Sequence, residues 1–191
     1  MHLPHPRIPP LADHQLSPDQ AAALEPLRQG PAGPLNIFRT LAHAPEALTA
    51  FLAWGSYVLS KKNALAPRER EIVILRTGYL CRSAYEWTQH VEIGIRAGLA
   101  LDEVAKIKGG AGAPDWSDAD GALIAACDEL HARQFITNAT WGELKAHFSD
   151  KQCMDVVFTA GQYTQVSMML NSFGVQLDEG QTLDPDLDAR G

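Results

Sequence analysis

REIVILRTGYLCRSAYEWTQH, residues 70–90, holds two helical halves of different character. In the first, Ile72, Val73, Ile74 and Leu75 leave no polar side, and a helix apolar all round has to be buried. The second half, taken as helix from Ser83 with about 100° between residues, brings Ser83, Glu86 and His90 within about 60° of one another on one face. Glu71 shares a face with Ile74, Leu75 and Gly78, so it is expected to be buried and to need a hydrogen-bonding partner, His90 or Glu86. Pro67 opens the first helix, expected to run to about Leu80, and the second is expected over 83–97, stopping at Gly98.

Outward from this segment the punctuation stays helical. Pro45 opens a segment through Leu59, and Ser117 with Asp118 starts one through Arg133. Thr140 with Glu143 reads as a capping box for a helix to Phe148, and Ser149 with Gln152 as another. That last helix ends near Phe173 and Gly174, where glycine suits a left-handed turn. No two-residue alternation bounded by turn residues and no fixed-period repeat stands out, so the expected fold is all-α. The last helix is apolar on nearly every side, with Val156, Val157, Phe158, Val166, Met168, Met169 and Leu170. Burying both apolar helices within 191 residues is hard, which predicts a homo-oligomer.

The two ends differ from the middle. Eight of the twelve prolines fall between Pro4 and Pro34, so residues 1–35 are expected to form an extended arm interrupted by a short helix at Ser17 and Pro18. Residues 36–176 form the expected helical domain. Residues 177–191 carry Asp178, Glu179, Asp184, Asp186 and Asp188 against Arg190, which predicts a solvated acidic tail. A net charge of -7 argues against nucleic acid or an anionic membrane as partner, leaving a small molecule and further copies of the chain. No signal-peptide-like or membrane-spanning run stands out, and Cys81, Cys127 and Cys153 are odd in number and widely spaced, which predicts reduced thiols in the cytoplasm.

Two carboxylates and an imidazole in a poorly hydrated pocket are the parts needed to move protons. Each residue also has a structural explanation. Ser83 with Glu86 is itself a capping box, His90 can be a satisfied core histidine, and Glu71 can pair with Arg76. A metal site on Glu86 and His90, one turn apart, with Glu71 as third ligand, is a further reading. The other histidines, His2, His5, His14, His43, His131 and His147, form no compact ligand pair, so no metal and no cofactor is expected. Trp87 can line a pocket or belong to the core, Trp141 looks structural, and Cys127 and Cys153 read as buried small hydrophobes.

The segment resembles the core motif of the superfamily that includes γ-carboxymuconolactone decarboxylase and the alkylhydroperoxidase AhpD. The peroxidase pattern is Glu, eleven residues, CxxC, three residues and His. Glu71 matches the Glu, Ser83 stands at the first cysteine, Glu86 at the second and His90 at the histidine, while Tyr85, Glu86 and Trp87 followed by His90 look like the YEWxxH form of the decarboxylase-like branch. The similarity extends from about Asn36 through Phe173. It implies an AhpD-like orthogonal helical bundle, oligomeric, from dimer to hexamer.

Without CxxC the peroxidase cycle lacks its attacking and resolving thiols. Cys81 points about 200° away from Ser83 if helix continues through it. A bend at Arg82 would bring it closer and leave a lone-cysteine peroxidase needing an outside thiol. The resemblance instead implies a cofactor-independent carboxy-lyase or isomerase acting on a small carboxylated lactone or aromatic catabolite. His90 would be the acid, Glu86 its relay and Glu71 its orienting partner, beside Ser83. Tyr85, Trp87, Arg39, Arg76 and Arg82 would be the substrate contacts. A non-catalytic oligomeric binding protein on the same scaffold is the other alternative.

Overall fold

The computed structural model describes residues 3–28 and 34–188; His2 and Arg190, named above, lie outside them. Among the described residues there is no strand. The helices are α1 (Pro18–Leu24), α2 (Asn36–Leu41), α3 (Pro45–Leu59), α4 (Pro67–Leu80), α5 (Ala84–Arg96), α6 (Leu101–Gly109), α7 (Asp118–Arg133), α8 (Asn138–His147), α9 (Asp150–Phe173) and the single turn α10 (Pro185–Asp188). None of them is long and apolar enough to cross a membrane.

Most ends follow from the residues at them. Ser17 and Ser149 each accept from the backbone N–H three residues on, and Gln20 and Gln152 reach back to the cap N–H. Gly174 takes the left-handed turn after α9, with φ 69°. The start of α8 differs from expectation. Thr137, not Thr140, is the cap, and the Glu129 carboxylate accepts from the Thr137 N–H and from both threonine hydroxyls. With its hydroxyl spent on Glu129, Thr140 is the third residue of the helix rather than its cap. α2 and α6 were not anticipated either; α6 is a short amphipathic helix that buries Val104 and Ile107.

α4 runs through the middle, packed against α5, α6, α7 and α9. Every residue from Glu71 to Gly78 is buried. Its all-round apolarity is used within the chain, because it divides two cores. Ile72, Val73 and Leu75 join Trp87, Leu123, Ile124 and Val156 on one side. Ile74 joins Ile37, Val58, Tyr85, Tyr163 and Val166 on the other. α9 is not covered to the same degree: Met154, Val157 and Met168 remain exposed.

The arm lies on its own chain, with the Arg7 and Ile8 N–H groups donating to the Phe173 carbonyl and Leu11 N–H to that of Arg39. The segment after 177 is not the solvated tail expected from its charge. Leu187 is fully buried in the first core, with Leu183 packed beside it, and Leu177 packs on the second. The aspartates between these leucines meet matched donors: Asp178 accepts from Tyr85 Oη, Gln89 Nε2 and the Asn36 N–H, and Asp184 from Trp87 Nε1 and Lys108 Nζ. Counting charges along the segment hid the leucines that anchor it.

Candidate functional site

The turn between α4 and α5 sets the site. Arg82 adopts a left-handed φ of 54°, and the Ser83 N–H donates to the Gly78 carbonyl, so the chain reverses and α5 packs along α4. Two glycines let the helices close. A Cβ at Gly94 would sit 2.9 Å from Leu99 Cδ1, and one at Gly78 would sit 3.3 Å from Glu86 Cγ. Ser83 begins α5, but its hydroxyl caps nothing; it is fully buried with no hydrogen-bond partner. The capping-box explanation for Ser83 and Glu86 is therefore not realised.

This closure puts His90 between two carboxylates. Nδ1 lies 2.7 Å from Glu71 Oε2 in a hydrogen bond, and Nε2 lies 2.9 Å from Glu86 Oε1. The second contact is off the N–H axis, and Glu86 Oε1, buried, has no hydrogen-bond partner. Burial alone would push the imidazole toward neutrality, but the negative charge of Glu86 and the hydrogen bond and charge of Glu71 outweigh it and raise the His90 pKa to about 10. His90 is thus an imidazolium near neutral pH, fixed by Glu71 and facing a carboxylate with an acceptor to spare.

Glu86 and His90 open on a cavity of about 350 Å³ between α2, α3, α5 and α9. Its walls are apolar, with Leu35, Phe38, Phe51, Leu52, Ile93 and Val166. Its polar groups are Ser56, Tyr85, Glu86, Gln89, His90, Gln162 and Tyr163. Tyr163 stands edge-on to His90, ring centroids 5.0 Å apart. Burial and the negative charge of Glu86 and Glu71 hold its hydroxyl well above the usual phenol range, so it stays a neutral donor. Glu71 and Ser83 lie behind this wall.

The structure separates the remaining candidates. Tyr85 lines the cavity but gives its hydroxyl to Asp178, 2.5 Å away. Trp87 belongs to the other core, against the Tyr79 ring. Arg39 is tied to Asp13 and to the Leu11 and Pro34 carbonyls. Arg76 is tied to Asp128 and to the Ile107 and Lys108 carbonyls, so it does not pair with Glu71. Arg82 is exposed in the bend and does not line the cavity. The bend does not bring Cys81 in: its thiol sits 3.8 Å from His131 Nδ1 and against Thr164 and Ser167, with burial pushing its pKa up. Among the described residues no three His, Cys, Asp or Glu side chains form a metal-binding group.

Gln162, Tyr163 and Gln89 were not singled out from the sequence. A usable signal existed in α9, where Asp155, Thr159, Gln162, Tyr163 and Ser167 recur at helical spacing on the buried face of an otherwise apolar helix.

Comparisons with known proteins agree with this architecture. Residues 45–129 match the family model described as carboxymuconolactone decarboxylase family. No curated protein matches the chain significantly. Among solved structures, an alkylhydroperoxidase AhpD core, an uncharacterized peroxidase-related protein from Ralstonia eutropha JMP134, is similar with a TM-score of 0.80 at 20% identity, over 93% of this chain and 94% of that one. The debrominase Bmp8 in complex with 2,3,4-tribromopyrrole has a TM-score of 0.74 at 12% identity, over 90% and 91%. An Agrobacterium tumefaciens protein of unknown function, a putative antioxidant defence protein AhpD, has a TM-score of 0.67 at 21% identity, over 72% and 94%. The chain therefore has an AhpD-like all-helical fold, and its residues 45–129 match the carboxymuconolactone decarboxylase family model.

Proposed function

We propose that this protein is a cofactor-independent acid/base enzyme that moves a proton at carbon on a small unsaturated ring, as an isomerase or a carboxy-lyase. The observation that carries this is the pairing, on one apolar cavity wall, of the His90 imidazolium with Glu86 Oε1, which lies 2.9 Å away and has no hydrogen bond. An unsaturated lactone supplies its own electron sink, so the protein need only supply an acid, a base and a donor to the enolate oxygen. In an isomerisation Glu86 takes the proton from the carbon next to the carbonyl, and the electron pair moves into the carbonyl, toward the Tyr163 hydroxyl. His90 Nε2–H then protonates the far carbon, and Glu86 returns its proton to Nε2. In a decarboxylation the electrons come from the bond to the departing carbon dioxide, His90 protonates carbon, and the site takes back one proton from water.

A thiol-peroxidase cycle has less support, because none of the described residues lining the cavity is a cysteine. Self-association, from dimer to hexamer, is part of the same proposal, supported by the exposed stripe of Met154, Val157 and Met168 on α9.

The test uses two assays, carbon dioxide release from γ-carboxymuconolactone and isomerisation of the carboxylate-free α-angelica lactone to its conjugated isomer, followed by ultraviolet absorbance. Turnover of either that falls by about 10²-fold or more in His90→Ala supports the proposal. A folded wild type that turns over neither argues for a binding role.

A further inference from the structure

We infer that the cavity selects a neutral ring carrying an N–H or O–H donor, and that Gln162 is the residue that reads this donor. The inference rests on the acid/base reading for its chemistry, of which it favours the isomerase over the carboxy-lyase because a carboxy-lyase has to admit a carboxylate, but not for its geometry.

Charge is the first line of argument. None of the described residues lining the cavity is an arginine or lysine. Two of the arginines expected to hold a carboxylate are committed elsewhere, Arg39 to Asp13 and Arg76 to Asp128. Arg70, whose charge reaches Tyr163, donates to the Ser60 carbonyl and does not line the cavity. Among the described residues the only cation at the wall, His90, stands between two carboxylates, and an imidazolium with two carboxylates leaves one net negative charge. A carboxylate guest would lose its hydration in an apolar chamber and meet a like charge there. The expectation of an arginine-held carboxylate finds no group to perform it.

Unpaired polar atoms are the second. Gln162 is only 5% exposed, and its Oε1 is buried with no hydrogen-bond partner. Glu86 Oε1, one helix away on the same cavity, also has no hydrogen bond, although it lies 2.9 Å from His90 Nε2. A buried acceptor left without a hydrogen-bond donor is destabilising, and both atoms border the same chamber. A guest with an N–H or O–H can satisfy one or both, while Tyr163, a neutral phenol, can donate to an oxygen on the same guest. Aromatic and branched side chains on the remaining walls fit the flat faces of a ring.

Calorimetric binding to the full chain separates these claims without turnover. The probes are the near-isosteric pair 4-methylbenzamide and 4-methylbenzoate, which differ in charge, and the pair 4-methylphenol and toluene, which differ in the donor. The neutral amide and the phenol are expected to bind at least about tenfold more tightly than the benzoate and toluene respectively. Gln162→Leu is expected to cost the phenol about tenfold and leave toluene unchanged, and Glu86→Gln to bring benzoate closer to the amide. Benzoate binding as tightly as the amide, or no saturable binding of either neutral donor up to millimolar concentration, overturns the inference. A neutral-donor preference in a protein inert toward both lactones would leave the inference standing and sink the acid/base reading. Turnover accompanied by a benzoate preference would do the reverse.

Discussion

Glu71 and His90, nineteen residues apart, meet at 2.7 Å across the α4–α5 contact, with Glu71 almost wholly excluded from solvent. A buried carboxylate of this kind fixes both the orientation and the charge of its imidazole partner. Glu71→Gln keeps an acceptor for Nδ1–H and removes the charge. The expected result is a fall in kcat of about 10²-fold, with the alkaline limb of the pH–rate profile, near pH 10 in the wild type, moving to lower pH. A uniform loss of rate with the limb unmoved would reduce Glu71 to a packing role.

The charge on His90 also makes stability depend on pH. Its folded pKa of about 10 stands above the unfolded value of 6.5, so the folded state holds a proton that the unfolded chain has released between these values. The resulting stabilisation is complete below about pH 6.5 and is lost as pH rises through about 10. Denaturant titrations of wild type and His90→Gln across this range should diverge at the acid end and converge at the alkaline end. Parallel curves would mean that the imidazole is not charged in the folded protein.

Gly78 and Gly94 make different predictions although both lie at the α4–α5 contact. A Cβ at Gly94 meets Leu99 at 2.9 Å and Leu75 at 3.3 Å in the packed interior, so Gly94→Ala is expected to cost about 1–3 kcal/mol in thermal or chemical unfolding. A Cβ at Gly78 presses at 3.3 Å on the side chain of Glu86, which can yield. Gly78→Ala should therefore lose more activity than stability. Equal effects of the two alanines on activity would show that Glu86 need not stand where it does.

The residues that meet at His90 were legible because they follow one motif on two adjacent helices, where a 100° turn per residue is enough to place Ser83, Glu86 and His90 on a face. The long helices were legible for a similar reason, since proline and serine mark their starts. What closes the other side of the cavity was not. Phe51, Gln162 and Tyr163 come from helices far away in the chain, and no local period says which helix faces which. The arginines expected as carboxylate clamps failed for that reason too: Arg39 and Arg76 each find an aspartate that sequence spacing does not reveal. The docked tail was missed because a run dense in aspartate looks solvated until each aspartate is matched to its donor.

Asp178 ties that tail to the cavity wall. It accepts from Tyr85 Oη at 2.5 Å, from Gln89 Nε2 at 2.7 Å and from the Asn36 N–H at 2.8 Å. Both side-chain donors line the cavity, and Asn36 begins α2, which forms another wall. Asp178→Ala leaves these part-buried donors unpaired, and a cost of about 1–3 kcal/mol is expected. Freed side chains at the wall should also raise KM more than they lower kcat, since Asp178 touches neither His90 nor Glu86. A kcat loss with KM unchanged would assign Asp178 to the proton-transfer step instead.

On α9 the outward positions 154, 157, 161, 165 and 168 recur at helical spacing and are all exposed, with methionine at both ends, valine at the second and an unobstructed glycine in the middle. Two methionines and a valine on one stripe are more apolar than a helix facing only water requires, and a central glycine lets another backbone approach closely. Sedimentation at micromolar concentration is expected to show an oligomer, and Val157→Asp with Met168→Asp to shift it toward monomer without loss of helical signal. If the wild type sediments as a single monomeric species, the stripe is ordinary surface and the cavity must function within one chain. If the double variant stays assembled, self-association uses another face, and the exposed Trp54 and Leu59 of α3 become the next positions to substitute.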